Sequence, residues 1–274
     1  MITPIFLTVA IAFLFGVIIG SFLNVVIYRF HSGIGVTGRS QCLSCGRTLS
    51  ARELIPIVSF LFQRGRCRNC RTRLSWQYPL VEFATGAAFA LAAFETGLDL
   101  LAISPLAALS FAIDAAGFTA LILLCVYDVR HKIIPDRFVA IFIFAGVLKF
   151  AAFAFLPGMA ESVSYASGHG LLFDLAAGPL LALPFALLWY FSDGRMMGLG
   201  DAKLMLGMGL FLGMGEGLSA VVLAFWVGAV PSILLLCLPG KRFTMKSELP
   251  FGPFLALGTI LAYAFSIDMF LWTF

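Results

Sequence analysis

Two aspartates stand where acids are costly to keep. Asp128 lies in Tyr127-Asp128-Val129-Arg130-His131-Lys132-Ile133-Ile134-Pro135-Asp136, and Asp201 in Gly198-Leu199-Gly200-Asp201-Ala202-Lys203, each at the edge of a long apolar run. Carboxylates in such places usually carry function. Two carboxyl groups held about 3 Å apart cannot both ionise cheaply, so they share a proton. A pair of this kind does aspartic proteolysis: the ionised member takes a proton from water, and the protonated member polarises the scissile carbonyl and later serves the leaving amine. No serine or cysteine nucleophile with a paired base competes for that role. A helix cap or a topology anchor is the plainer reading of either aspartate alone. The two together, with their flanking glycines, favour catalysis.

A second constellation is metal-ligating. Cys42-Leu43-Ser44-Cys45 and Cys67-Arg68-Asn69-Cys70 are two CxxC pairs separated by 21 residues, a spacing suited to a four-cysteine zinc site. Arg47, Arg66, Arg68 and Arg71 nearby favour thiolates over thiols. Four cysteine ligands leave no open coordination position, so the expected zinc is structural. An unmetallated redox pair is the other reading. Cys125 and Cys237 fall in apolar runs and read as small core residues. His31, His131 and His169 show no ligand spacing, and His131 reads as a solvated loop histidine close to Asp128.

These groups must be positioned by membrane helices. The chain is 61% hydrophobic and 12% charged with a mean hydropathy of +1.01, far from a soluble domain. Eight spans are expected, at about 4–28, 78–96, 102–127, 138–156, 171–191, 203–215, 218–238 and 251–273. The predicted fold class is an all-α polytopic membrane protein with a cytoplasmic zinc-knuckle loop. Its expected divisions are a first helix at 1–28, a cysteine loop at 29–77 and a transmembrane peptidase region at 78–274. The first run lacks a preceding basic residue and is too long for a signal peptide core, so it is expected to stay as a helix.

Charge sets the orientation. Nine arginines and one acid, Glu53, lie from Arg29 to Arg73, and of 18 lysines and arginines only Lys149 falls toward the opposite side. Lys241, Arg242 and Lys246 join the basic side, whereas Glu95, Asp99, Glu161 and Glu216 lie on the other. Both termini are expected outside and both motif aspartates at the cytoplasmic face. The net charge of +4 is accounted for by anionic lipid headgroups and needs no nucleic acid.

Locally, Asp128 is expected to begin the turn after the third span, with 130–136 irregular and Asp136 capping the fourth span. Gly198 and Gly200 allow close backbone approach, and Asp201 near a helix N-terminus gains from the helix dipole. Gly209, Gly213 and Gly217 have small-xxx-small spacing, which lets neighbouring helices pack closely enough to bring Asp201 to Asp128. Asp114, mid-span and 14 residues before Asp128, and Glu82 are satisfied interior acids or parts of a second site.

The ordered set of motifs resembles the type IV prepilin peptidases, leader peptidases of type IV pilus and type II secretion systems within the GxGD class of intramembrane aspartic proteases. Gly20-Ser21-Phe22-Leu23-Asn24-Val25-Val26-Ile27-Tyr28-Arg29, the paired cysteines, Pro79 with Glu82, the two aspartate motifs and Pro250-Phe251-Gly252-Pro253-Phe254-Leu255-Ala256 carry the resemblance over nearly the whole chain. It implies Asp128 and Asp201 as the catalytic dyad. It also implies a prepilin or pseudopilin substrate with a short basic leader, cut at the cytoplasmic face of the bacterial inner membrane. Many such enzymes then methylate the new N-terminus with S-adenosylmethionine, and the cysteine loop goes with that longer, bifunctional form. The loop itself has no dinucleotide-type glycine fingerprint.

A basic leader would not be drawn to so basic a loop. Membrane lipid is its expected partner, with the substrate recognised through its hydrophobic helix. Leu249-Pro250-Phe251-Gly252-Pro253 is expected to leave backbone groups free to pair with an extended scissile segment. Two rival classes are an ion or proton-coupled transporter using intramembrane acids and a scaffold without activity.

Overall fold

Glycine, proline and charge interrupt the apolar runs, and the helices end where those interruptions fall. The computed structural model describes residues 2–30, 35–158, 170–237 and 250–269. Within them run α1 (Ile2–Arg29), a 3-10 turn (Ala51–Glu53), α2 (Val58–Phe62), α3 (Gln77–Glu95), α4 (Pro105–His131) and α5 (Asp136–Phe155). They are followed by α6 (Leu171–Phe191), α7 (Leu199–Leu212), α8 (Met214–Cys237) and α9 (Gly252–Phe265). Helices coincide with all eight apolar segments expected from the sequence. Among the described residues the β-structure is two isolated bridges. Five helices, α1, α4, α5, α6 and α8, are long and apolar enough to cross a membrane by length and composition, as in a multi-pass membrane protein. His31, Glu161, His169, Lys241, Arg242, Lys246, Leu249 and most of the 157–170 loop lie outside the described residues, as does the side chain of Cys237.

Three local expectations are corrected. The α4 helix runs one turn past its expected end, to His131, and closes on Lys132 in the left-handed conformation with its N–H on the Asp128 carbonyl at 2.7 Å. Asp128 therefore sits inside the last helical turn, and the irregular link shrinks to 132–135. Pro135, not Asp136, occupies the N-cap of α5, and Asp136 is its first residue. Gly213 is no packing glycine: with φ +80° it ends α7, so that α8 starts at once.

The chain divides into two compact units, 1–94 with 99–101, and 95–98 with 102–274. In the first, α1 and α3 meet through glycines. A Cβ on Gly20 would stand 2.7 Å from the Glu82 Cα, and one on Gly16 2.7 Å from the Thr85 carbonyl. Asn24 secures the same contact, donating to the Gly20 and Tyr78 carbonyls at 3.3 and 3.2 Å. The Gly20–Asn24 stretch thus has a packing role that residue types alone did not disclose.

In the second unit α7 is central, packed against α5, α6, α8 and α9. Phe118, Phe142, Phe211 and Tyr263 fill the space between helices as a ring cluster. Glycine lets α7 and α6 touch backbone to backbone, since a Cβ on Gly209 would lie 2.6 Å from Ala177 and Gly178 main-chain atoms. Gly209→Val must force these helices apart, at a cost of about 1–3 kcal/mol. Thermal unfolding in detergent checks this, and an unchanged midpoint would contradict the packing described.

Candidate active site

Asp128 is buried in the last turn of α4, and Asp201 occupies the third position of α7, behind the N-cap Gly198. Seventy-three positions apart in sequence, the two carboxyl groups lie within electrostatic reach of each other. Two links draw their motifs together. A Cβ on Gly200 would stand 2.8 Å from the Ile134 Cβ, so only glycine lets the start of α7 rest on the 132–135 link. Lys203 Nζ then donates to Asp136 Oδ1 at 2.7 Å, joining the first turns of α7 and α5. The sequence placed Asp136 as a cap; its carboxylate instead fastens one motif to the other.

A third motif closes the site. The Gly252 N–H, at the first turn of α9, donates to Asp128 Oδ2 at 3.0 Å. Helix N-terminal N–H groups have no partner inside the helix, and Asp128 supplies one from α4. The α9 dipole also favours negative charge at that point. The expectation that this backbone stays free for substrate is thus corrected at Gly252, whose N–H belongs to Asp128. Gly252 has to be glycine, because a Cβ there would lie 2.7 Å from the same carboxylate oxygen. Gly252→Ala should displace Asp128 and slow turnover roughly 100-fold while folded protein still accumulates. Steady-state kinetics on monodisperse protein measures it, and a wild-type rate would remove Gly252 from the site.

The other sequence candidates lie elsewhere. His131 is exposed on the last turn of α4 with its ring 4.4 Å from Tyr127. Glu82 accepts the Ile57 N–H at 2.6 Å, joining the cysteine loop to α3. Asp114 is fully buried and engaged by Lys149 at 2.9 Å and Tyr263 at 2.7 Å. Lys149, which charge places toward the outer side, is a buried residue of α5. A mid-span acid with a resident cation is poor material for an ion pathway.

The cysteine loop, within the first unit, builds two like knuckles. In each, the first cysteine donates its N–H five residues ahead, Cys42 to the Arg47 carbonyl and Cys67 to that of Thr72, both at 2.9 Å. In each, the residue four places on, Gly46 or Arg71, takes positive φ, at 70° and 59°. The four sulfurs of Cys42, Cys45, Cys67 and Cys70 lie within 4.8 Å of one another, with Cys42 and Cys70 at 3.8 Å. A tetrahedral zinc with bonds of about 2.3 Å needs sulfurs about 3.8 Å apart. Two of the thiols are drawn toward thiolate, Cys70 down to about 6 by Thr72 hydrogen bonds and Cys45 by the Arg47 N–H with Asn69. Glu53, buried beside the first knuckle, is held below the usual carboxylate range by the Ser50 N–H and hydroxyl, then by Arg47. The single acid among nine arginines is thus a structural anchor.

Comparison with known proteins places the chain in a family. The profile described as the bacterial peptidase A24 N-terminal domain matches residues 14–96, and that of the type IV leader peptidase family matches residues 115–233. A prepilin leader peptidase/N-methyltransferase of Bacillus subtilis (strain 168) is 34% identical over 257 residues, covering 93% of this chain and 94% of its own. The chain belongs to the type IV leader peptidase family. Within that family, the protein of the same description from Dickeya chrysanthemi is 31% identical, over 93% of this chain and 91% of its own. A type 4 prepilin-like proteins leader peptide-processing enzyme of Escherichia coli O78:H11 (strain H10407 / ETEC) is 32% identical, with 89% of each chain covered. No solved structure matches the chain. The family's two profiles cover both the cysteine loop and the segment that carries Asp128 and Asp201.

Proposed function

We propose that this member of the type IV leader peptidase family is a membrane-embedded aspartic endopeptidase and N-methyltransferase. It removes the short basic leader of type IV prepilins or type II secretion pseudopilins, then methylates the new N-terminus with S-adenosylmethionine. The reading rests on the convergence of three distant motifs on one carboxyl pair, Asp128 and Asp201, with Asp128 held by the Gly252 N–H. The names of relatives similar over nine-tenths of the chain support both activities.

In this reading the pair shares one proton. The ionised carboxylate accepts a proton from water as its oxygen attacks the scissile carbonyl, while the protonated partner donates to the carbonyl oxygen. Collapse of the tetrahedral species breaks the C–N bond: the proton taken from water passes to the leaving amine, and the partner carboxylate recovers its proton from a hydroxyl of the collapsing species, which restores the pair. Burial of Asp128 and the low-dielectric surroundings strengthen each of these interactions.

All eight long helices are read as membrane spans, with the basic segments and the dyad at the cytoplasmic face of the bacterial inner membrane. The α7 and α9 helices, 14 residues each, are about 21 Å long and need thinning or flanking residues to complete a crossing. The four cysteines hold a structural zinc, which fixes the loop and leaves the chemistry to the acids.

The test is direct. Purified protein in liposomes is incubated with a prepilin, with and without labelled S-adenosylmethionine, and the products are sequenced from the N-terminus. Cleavage immediately before the hydrophobic helix, with label on the new amine only when the methyl donor is present, is the expected result. Intact prepilin would remove the peptidase reading, and a cleaved but unlabelled N-terminus would remove the methyltransferase reading alone.

A further inference from the structure

Asp114, Lys149 and Tyr263 form a buried node that neither peptide cleavage nor metal binding employs. Lys149 Nζ meets Asp114 Oδ1 at 2.9 Å, and the Tyr263 hydroxyl donates to Asp114 Oδ2 at 2.7 Å. Both carboxylate oxygens are therefore taken, one from α5 and one from α9. The ammonium also lies 4.4 Å from the Phe211 ring centre on α7 and 4.7 Å from that of Tyr263, within range of favourable cation–π contact. Glu216 at the start of α8, itself buried, is within electrostatic reach of the same lysine. One side-chain cluster thus engages α4, α5, α7 and α9.

Packing alone does not call for it. A buried ion pair can be replaced by apolar side chains of similar volume without loss of stability, so such a pair contributes direction more readily than cohesion. Direction matters here because of what else α4 and α9 share. The two helices share two polar contacts, Tyr263 on Asp114 and the Gly252 N–H on Asp128. These lie 14 residues apart on α4 and 11 apart on α9, about 21 and 17 Å along the helices. The ring contact of Phe118 with Tyr263 between them is apolar and tolerates small sliding. A hydrogen bond does not: a shift of one helical residue, about 1.5 Å, would break the bond from Gly252.

We propose that Asp114, Lys149 and Tyr263 are positioning residues: they fix the axial register of α9 against α4 and so hold the Gly252 N–H on Asp128. The inference rests on the assignment of Asp128 to the catalytic pair. Lys149 orients the carboxylate, Asp114 receives the tyrosine, and Tyr263 transmits the register through α9 to its first residue.

Kinetics separates this from a merely structural role. Tyr263→Phe keeps the ring over Lys149 and loses only the hydroxyl. Per folded molecule its kcat should fall roughly 10- to 100-fold with KM unchanged. The acidic limb of its pH–rate profile should move to higher pH, because a carboxylate that loses an N–H donor holds its proton more tightly. The neutral double variant Asp114→Asn/Lys149→Gln is the conservative rescue: the glutamine amide keeps a donor to orient the side chain at 114, which still offers Tyr263 an acceptor, so kcat and pH profile should stay near wild type. If Tyr263→Phe yields no folded protein, Asp114→Leu/Lys149→Met takes its place as the variant without an acceptor and should show the same slow, shifted profile. A lower unfolding temperature with wild-type kcat and pH profile would overturn the proposal, as would equal kcat for the acceptor-free and acceptor-retaining variants. Asp128→Asn is assayed alongside. Wild-type cleavage by that variant would refute the assignment of Asp128, a failure distinct from that of the node.

Discussion

Asp128→Asn and Asp201→Asn should each lower the rate of prepilin cleavage by about four orders of magnitude or more, with folded protein recovered in normal amount. The size of the effect follows from the chemistry. One carboxyl must be ionised to take the proton of water while the other must donate, so an amide at either place ends the exchange rather than weakening it. The double variant should be hardly slower than either single one, because groups acting as a unit do not contribute additively. Folding should survive, since asparagine can still accept the Gly252 N–H at position 128 and still sits in the first turn of α7 at position 201. Cleavage of a prepilin in liposomes, followed over hours, measures the loss. Wild-type cleavage by either variant would show that the pair is not the catalytic centre.

The second large effect concerns the cysteine loop. Purified protein should carry one zinc per chain, and Cys42→Ser or Cys67→Ser should abolish it. The reason is the poverty of the loop's own core. Between α1 and α3 the described loop has one short 3-10 turn, the five-residue α2 and two isolated bridges, with Phe60, Cys42 and Cys67 its buried apolar residues. So little burial cannot offset the entropy of ordering some forty residues. A four-cysteine zinc contributes on the order of 10 kcal/mol to folding in small domains, enough to make the difference. Chelator should therefore expose the loop to protease, which metal analysis and timed proteolysis would follow together. Zinc-free protein with an equally resistant loop would refute a structural metal.

Much of the site was legible in residue types. The cysteine pairs needed only local spacing, and the two aspartates only their position beside apolar runs. The structure brings Asp128 and Asp201 within electrostatic reach, and Gly200 makes the close approach expected of it, on a partner, Ile134, that the sequence did not reveal. Of the small-xxx-small run, Gly209 packs α7 on α6, whereas Gly213 ends a helix. Asp136 looked like a cap and proved to be a link to Lys203. Lys149 looked like an outer charge and proved to be a buried counter-ion, because charge counting along a chain cannot see a partner on another helix.

By itself, then, the sequence determined the helices, the four cysteines that cluster and the identity of the costly acids. Each is a local property: hydropathy over about 20 residues, cysteines three positions apart within a knuckle, an acid beside glycine. Only the tertiary structure decided how the acids are held. The Asp136–Lys203, Asp128–Gly252 and Asp114–Tyr263 contacts join positions 67, 124 and 149 apart. Such pairings leave no periodicity in a single chain, since they depend on where whole helices pack. Hydrogen-bond geometry, set by that packing to a fraction of an ångström, makes one candidate site of a buried acid, Asp128, and a half-buried one, Asp201.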